Sequence, residues 1–228
     1  MDRYSLIDSK LPREMLLLQG QGCRWKGCTF CDYYYDVSPE PYLVNAPLLD
    51  RVSGKYGVLD IINSGSAMEF DSRTIEHIKE VVRRCEIHTL WFEAHYMYRH
   101  RLGEFAELFA PAKVKFRCGI ESFDGALRKV WNKGVAESVT AKDVAKYFRG
   151  VCLLCCVEGQ SREQILSDIA QAEEYFEYYS VNLFCNNSTP LRRDEELARW
   201  FEEEEVYPTL KDNPKAEILL NNTDLGVG

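Results

Sequence analysis

No stretch of these 228 residues is apolar for long enough to span a bilayer, and the leucines at 16–18 are too few for a signal-peptide core. Positive charge is short as well: 28 Lys and Arg stand against 36 Asp and Glu, a net charge of −8. Contact with a nucleic-acid backbone needs clustered cations. Only Arg99, His100 and Arg101, and the pair Arg192 and Arg193, offer any, and each group reads as a solvated loop or helix start. A small molecule is therefore the expected partner, not a nucleic acid or a membrane. Histidine is scarce too, with His77, His88, His95 and His100 scattered along the chain. No second Cys-x2-Cys and no His-x3-His pair is well placed to complete a four-ligand zinc site. Internal repeats, low-complexity tracts and linkers are missing. One domain over 1–228 is expected, long enough to bury a sizeable core.

What the chain does have is nine cysteines without secretory features, which points to a reducing cytoplasm and to metal chemistry rather than disulfides. Three stand as Cys23-x4-Cys28-x2-Cys31, after an apolar run that exits into a loop, with no fourth cysteine at a matching interval. Three thiolates on a short loop can hold three irons of a cubane cluster and leave the fourth iron open to a non-protein ligand. Such an iron suits redox chemistry on a bound molecule. The alternatives are a structural zinc site and unliganded core thiols. Arg24, Trp25, Lys26, Gly27, Thr29 and Asp32 make the loop polar, which argues against the latter. Cys152, Cys155 and Cys156 lie in an apolar run and read as buried thiols rather than as a second cluster.

Short β-rich runs recur at residues 14–19, 57–63, 87–93, 113–119, 151–157 and 179–184. Amphipathic segments fall between them: 71–84, with Asp71 or Ser72 as N-cap, then 102–109, 124–131, 141–148, 161–176 and 194–201. The acidic run 202–205 reads as a solvated helix end. Strand–helix alternation with buried strands predicts an α/β fold around a parallel sheet. Six units fall short of eight, so a partial (β/α)6 TIM barrel is expected, with an open twisted sheet as the alternative. Either architecture places a site where the loops gather, at the carboxyl ends of the strands.

The cysteine loop and three later strand ends together resemble the radical S-adenosylmethionine (SAM) superfamily. The resemblance implies a 4Fe-4S cluster on Cys23, Cys28 and Cys31, with its remaining iron chelated by SAM. It also implies that Phe30, before the last cysteine, touches the adenine. The first cysteine spacing is four residues here, against three in most of the superfamily. Asn63, Ser64, Gly65 and Ser66 resemble the segment contacting the SAM amino group, where small residues let backbone acceptors approach an ammonium. Cys118-Gly119-Ile120-Glu121-Ser122, followed by Asn132-Lys133-Gly134, is similar to a stretch whose polar groups reach the SAM amino group and ribose. That similarity assigns Glu121, Ser122 and Lys133 to the cofactor. Glu158 and Gly159 resemble a turn near the adenine, although the usual proline is absent. The chemistry implied is reductive cleavage of SAM to a 5′-deoxyadenosyl radical, with a flavodoxin- or ferredoxin-like reductant.

Within the superfamily, the short chain, the residues after Cys31, the 182–190 stretch and the 220–228 tail resemble the small queuine lyases of queuosine salvage. That resemblance implies a carbon–nitrogen lyase that removes the cyclopentenediol from the 7-deazaguanine base queuine and releases its aminomethyl precursor. A deazaguanine presents an N–H beside an exocyclic amine, which one carboxylate can accept together. Asp32, Glu93 and Asp224 are candidates for that carboxylate. Tyr33, Trp91 and Phe184 are candidates for stacking. Asn182, Asn186 and Asn222 are candidates for the diol, and His95 is a further substrate contact or a satisfied polar residue. Competing readings are RNA or peptide modification by a radical SAM enzyme, a glycyl-radical activase, and a metal-binding redox sensor without turnover.

Overall fold

Each of the six apolar runs forms a strand in the computed structural model, which describes residues 2–228. They are β2 (Arg13–Leu18), β3 (Val58–Asn63), β4 (Thr89–Glu93), β5 (Lys113–Glu121), β6 (Gly150–Cys155) and β7 (Tyr178–Leu183). Two four-residue strands escape the pattern reading: β1 (Tyr4–Ile7) and β8 (Ala216–Leu219), which end the sequential strand order β1 to β8. An edge strand of four residues is too short to show a period. The chain divides into two compact units. One holds the chain up to Lys26, then Tyr33–Phe116 and Leu225–Gly228; the other holds Gly27–Asp32 and Arg117–Asp224.

In the first unit, β1 runs antiparallel to β2, while β2–β3 and β3–β4 are parallel. Helix α1 (Pro41–Asp50) has no clear signature in the sequence, because Pro47 lies inside it and it lacks a clean polar face. It is pinned to the exit of β2 by Asn45, whose Oδ1 accepts the Gln19 N–H at 2.7 Å and whose Nδ2 donates to the Gln19 carbonyl at 2.8 Å. Helix α2 (Ser72–Arg84) starts at the expected cap, the Asp71 carboxylate accepting the Thr74 N–H. The 102–109 segment is shorter than expected: a 3-10 helix at Tyr96–Arg101 leads into α3 (Leu102–Glu107). Phe92, Phe105, Phe109 and Phe116 pack ring against ring in this unit, with centroids 5.3–6.2 Å apart. In the same unit the fully buried Arg13 and Asp60 form an ion pair at 2.8 Å.

In the second unit, β5–β6, β6–β7 and β7–β8 are all parallel. Strand β6 is buried at every position, so it reads as an unbroken apolar run, and Cys152, Cys155 and Cys156 are core thiols within or just beyond it. Burial pushes the Cys156 thiol up to about 12, with the nearby Asp194 carboxylate adding to the rise. Helices α4 (Gly125–Val130), α5 (Ala141–Ala145), α6 (Arg162–Tyr175) and α7 (Glu195–Arg199) lie within the expected segments, and the side chains of Asp124, Thr140, Ser161 and Asp194 cap them. After α7 the backbone loosens into a π-helical turn, Trp200–Glu204, followed by α8 (Val206–Leu210). The acidic run is thus largely solvated, as expected, but the chain continues beyond it as a further helix. Among the described residues no helix is long and apolar enough to cross a membrane.

Candidate functional site

The boundary between the two units falls inside the cysteine loop, and its two parts are held differently. Cys23, in the first unit, is half-buried where the chain leaves β2, and its sulfur accepts the Lys26 N–H at 3.5 Å. The residues flanking it bond to Glu69: the Gln21 N–H donates to the Glu69 carbonyl at 2.8 Å, and the Arg24 N–H donates to Oε1 at 2.9 Å. Trp25 stacks on His95 with centroids 5.9 Å apart. Beside Cys23 opens a cleft of about 440 Å³, lined among others by Arg24, Glu69, Tyr98 and Arg101.

The exit of β3 lies close by within the same unit. Asn63 donates from Nδ2 to the Ser66 carbonyl at 3.3 Å, while its buried Oδ1 has no hydrogen-bond partner. That orphaned acceptor is what a bound ammonium or hydroxyl would satisfy. Ser64 Oγ donates to Asp36 at 3.2 Å; Asp36 also accepts from Arg3 and, at 2.7 Å, from Gln19. Burial raises the Asp36 carboxyl, but the Arg3 and Gln19 donors outweigh it and hold the group below the ordinary carboxylate range. Gly65 permits a close approach: a Cβ there would sit 2.3 Å from Glu69 Oε2 and 3.3 Å from the Cys23 Cα.

Cys28 and Cys31, in the second unit, pack against the buried cluster of Phe30, Leu127, Trp131, Leu154, Val157 and Phe184. Backbone and amide groups tie this part of the loop down. The Thr29 N–H donates to the Trp131 carbonyl at 3.0 Å, Asn132 Nδ2 to the Gly27 carbonyl at 2.7 Å, and Asn187 Nδ2 to the Phe30 carbonyl at 2.8 Å. At the end of β5 a register shift between Gly119 and Glu121 re-aims the chain, and Glu121 takes φ +68°. Its carboxylate then meets the Lys133 ammonium at 2.8 Å, with Lys133 also 5.6 Å from the Phe30 ring centroid. Burial alone would lower the Lys133 pKa, but the Glu121 carboxylate and the Cys28 thiolate reverse this, so the ammonium stays charged.

Ser122 is fully buried; its carbonyl accepts from Arg128 at 2.9 Å and its hydroxyl from the Asp124 N–H at 3.0 Å. Behind it Asp168 accepts the Phe123 N–H at 2.7 Å, and burial pushes its carboxyl up to about 6 against the pull of Ser122 and that N–H. Beyond β6, Glu158 is exposed, and Gly159, at φ +85°, opens onto empty space.

The substrate candidates are spread more widely. Phe184 joins the Phe30 cluster, and Asn182, half-buried on β7, keeps a buried Oδ1 without a partner. Asp32 accepts from the Ser188 N–H and hydroxyl at 2.9 and 2.8 Å. Asn186 accepts the Arg193 N–H, and Asp224 accepts the N–H groups of Leu220 and Asn221 within its own exposed turn, where Asn222 is also exposed. In the first unit Tyr33 is 52% exposed, Trp91 is buried with the Lys115 ammonium 5.2 Å from its ring, and Glu93 is half-buried at the end of β4. His95 caps its 3-10 helix by accepting the Met97 N–H at 3.1 Å.

No sequence motif singles out Glu69, Tyr98 or Asp168. Only Glu69 left a local trace there, since Ser66-x-x-Glu69 has capping-box spacing.

Three cysteine thiols on one short loop are the donor chemistry of a cubane cluster, which takes each thiolate on a separate iron. The chain matches no known family model, and no protein of curated function matches it. Among solved structures it is similar to a queuine lyase from Clostridium spiroforme bound to SAM and queuine. The identity is 38% and the TM-score 0.94, over 100% of this chain and 99% of that one. SuiB from Streptococcus suis, bound to SAM, aligns at 16% identity and TM-score 0.56, covering 92% of this chain; SuiB bound to its precursor peptide SuiA gives 14% and 0.51. This chain spans about half the length of SuiB, and that likeness shows the fold alone, the partial barrel expected from the sequence. Full-length identity to the queuine lyase goes further: the chain belongs to the queuine lyase family of radical SAM enzymes.

Proposed function

We propose that this chain is a radical SAM lyase acting on queuine and releasing the aminomethyl-deazaguanine base. The observation that carries the proposal is 38% identity over the whole chain to a queuine lyase bound to both SAM and queuine. Cys23, Cys28 and Cys31, all half-buried, would hold a 4Fe-4S cluster, Cys23 from a polar stretch of the loop and Cys28 and Cys31 from beside an apolar cluster. When bound, the cluster and SAM supply reductive cleavage of the sulfonium to methionine and a 5′-deoxyadenosyl radical that takes a hydrogen atom from the substrate.

The protein's own part is to bind, orient and exclude water. Asn63 Oδ1 and the backbone of Ser64, Gly65 and Ser66 offer acceptors to the SAM ammonium. Glu121, Ser122 and Lys133 would supply polar contacts to its amino-acid and ribose ends, and Phe30, Glu158 and Gly159 would border the adenine. Lys133, kept charged by Glu121, presents a cation suited to a carboxylate. On the substrate side, Phe184 offers an apolar wall and Asn182 an unmet acceptor for an N–H or hydroxyl. Asp32, Tyr33, Trp91, Glu93, His95, Asn186, Asn222 and Asp224 complete the candidate set. An external flavodoxin- or ferredoxin-like protein in the cytoplasm would deliver the electron. The net charge of −8 favours the free base over tRNA as substrate.

The test is anaerobic reconstitution with iron and sulfide, then incubation with dithionite, SAM and queuine. Formation of 5′-deoxyadenosine together with the aminomethyl base supports the proposal. SAM cleavage indifferent to queuine rejects the substrate.

A further inference from the structure

A carboxylate outside every motif read from the sequence sits at the centre of the first unit's part of the cysteine loop. Glu69 is 9% exposed and ends the 3-10 turn Ala67–Glu69. Its Oε1 accepts the Arg24 N–H at 2.9 Å and the Tyr98 hydroxyl at 3.0 Å, while Oε2 accepts the Ser66 N–H at 2.7 Å. Its carbonyl accepts the Gln21 N–H at 2.8 Å. Residues 21 and 24 flank Cys23, and Ser66 closes the Asn63–Ser66 segment. The glycine at 65 follows from the same arrangement, because a Cβ there would come within 2.3 Å of Oε2. Burial, with the Glu69 charge, pushes the Tyr98 hydroxyl up to about 12, so it remains a donor.

We infer that Glu69, assisted by Tyr98, is a positioning residue that sets the Cys23 loop against the Ser64–Ser66 turn. One carboxylate thereby holds a cluster ligand and the acceptors for the SAM ammonium at a fixed separation. The inference rests on the roles proposed above for those two segments. Two acceptor oxygens are needed at this point: the backbone N–H groups of Arg24 and Ser66 and the Tyr98 hydroxyl all donate to this side chain, and a carboxylate offers both acceptors. An amide would turn one N–H toward another donor, and alanine would leave three buried or half-buried donors unmet.

Three variants test it: Glu69→Gln, Tyr98→Phe and Gly65→Ala, each reconstituted anaerobically beside the wild-type protein. The readouts are the melting curve of the metal-free protein, iron and sulfide per chain, the EPR spectrum of the reduced cluster with and without SAM, and KM separately from kcat. Glu69→Gln is expected to fold and to lose iron, or to keep it with an altered SAM-induced EPR change and a KM for SAM raised about tenfold. Tyr98→Phe removes one donor and should raise KM about threefold. Gly65→Ala should reproduce the Gln phenotype, and adding it to Glu69→Gln should cost little more, because both act on one contact. Wild-type iron content, spectra and KM in Glu69→Gln and Tyr98→Phe overturn the inference. Should Glu69→Gln fail to fold, Tyr98→Phe decides alone. If SAM leaves even the wild-type cluster's spectrum unchanged, it is the proposed function that fails, and the inference with it.

Discussion

Cys23 belongs to a loop whose flanking N–H groups end on one buried residue, Glu69, at its backbone carbonyl and its carboxylate, whereas Cys28 and Cys31 lie against Phe30, Trp131 and their apolar neighbours. Two carboxylates, one half-buried and one buried, repeat the contrast. In the first unit Asp36 collects donors from Arg3, Gln19 and Ser64 and is held low; in the second Asp168 has two hydrogen bonds against heavy burial and is pushed up to about 6. Hydrogen bonds to charge are directional and fix separation. Apolar packing is indifferent to direction but sensitive to volume. A ligand loop built from both would be located by the first and sealed from water by the second.

The largest effect should come from the cysteines themselves. Replacing Cys23, Cys28 or Cys31 with serine is expected to abolish the brown chromophore and SAM cleavage alike, as measured by iron analysis and 5′-deoxyadenosine release. The metal-free proteins should separate the two parts of the loop. Cys28→Ser places a hydroxyl against the Phe30 cluster and should lower the melting temperature, while Cys23→Ser, in a polar loop, should barely move it. Equal shifts in both would remove the contrast.

Next comes Trp131→Ala. The indole is 1% exposed and meets Phe30 edge-on with centroids 5.9 Å apart. Its loss should cost about 3–5 kcal/mol in urea unfolding of the metal-free protein, through lost transfer energy and the cavity left behind. The cost should be insensitive to salt, unlike any change at Asp36, where an ion pair is involved.

How far the sequence discloses this division depends on how local each device is. Strands β2 to β7 are legible because each carries a short apolar run or, in β5, apolar residues alternating with charged ones, and polar residues open the helical segments at Asp71, Ser161 and Asp194. The cysteine spacing is legible because it lies within one short loop. Glu69 is not, since its partner Arg24 is 45 residues away and no periodicity links them. Asn45 holding Gln19 across 26 residues is hidden for the same reason. Candidates such as Asp224 and Asn186 looked exposed and polar, which is equally the look of residues that satisfy their own turns.

The two carboxylates should respond to pH with opposite signs. For Asp168 the folded pKa lies above the unfolded one, so the folded protein binds the extra proton between about pH 4 and 6 and stability falls as pH rises through that window. Against an Asp168→Asn reference, the wild-type protein should lose on the order of 3 kcal/mol from pH 4 to 7. For Asp36 the folded pKa is lowered, so its contribution is present above the unfolded value and disappears only as pH falls below about 4. Asp36→Asn should therefore be the weaker protein at pH 7 and converge on wild type in acid. Urea titrations at a series of pH values check both, and slopes of the same sign would break the comparison.

The smallest effect is expected where the second unit does use a directional bond. Asn132 takes φ +48°, and its Nδ2 donates to the Gly27 carbonyl at 2.7 Å, at the start of the segment bearing Cys28. Glycine accepts that backbone conformation without strain, so Asn132→Gly loses only an exposed hydrogen bond and should cost about 1 kcal/mol or less. Alanine loses the same bond and must also enter the left-handed region, so Asn132→Ala should cost about 1 kcal/mol more than glycine. If apolar packing rather than this bond keeps Cys28 in place, both variants should retain full iron content while differing in urea midpoint. Iron loss in the glycine variant would mean that the second part of the loop, too, is located by a directional bond.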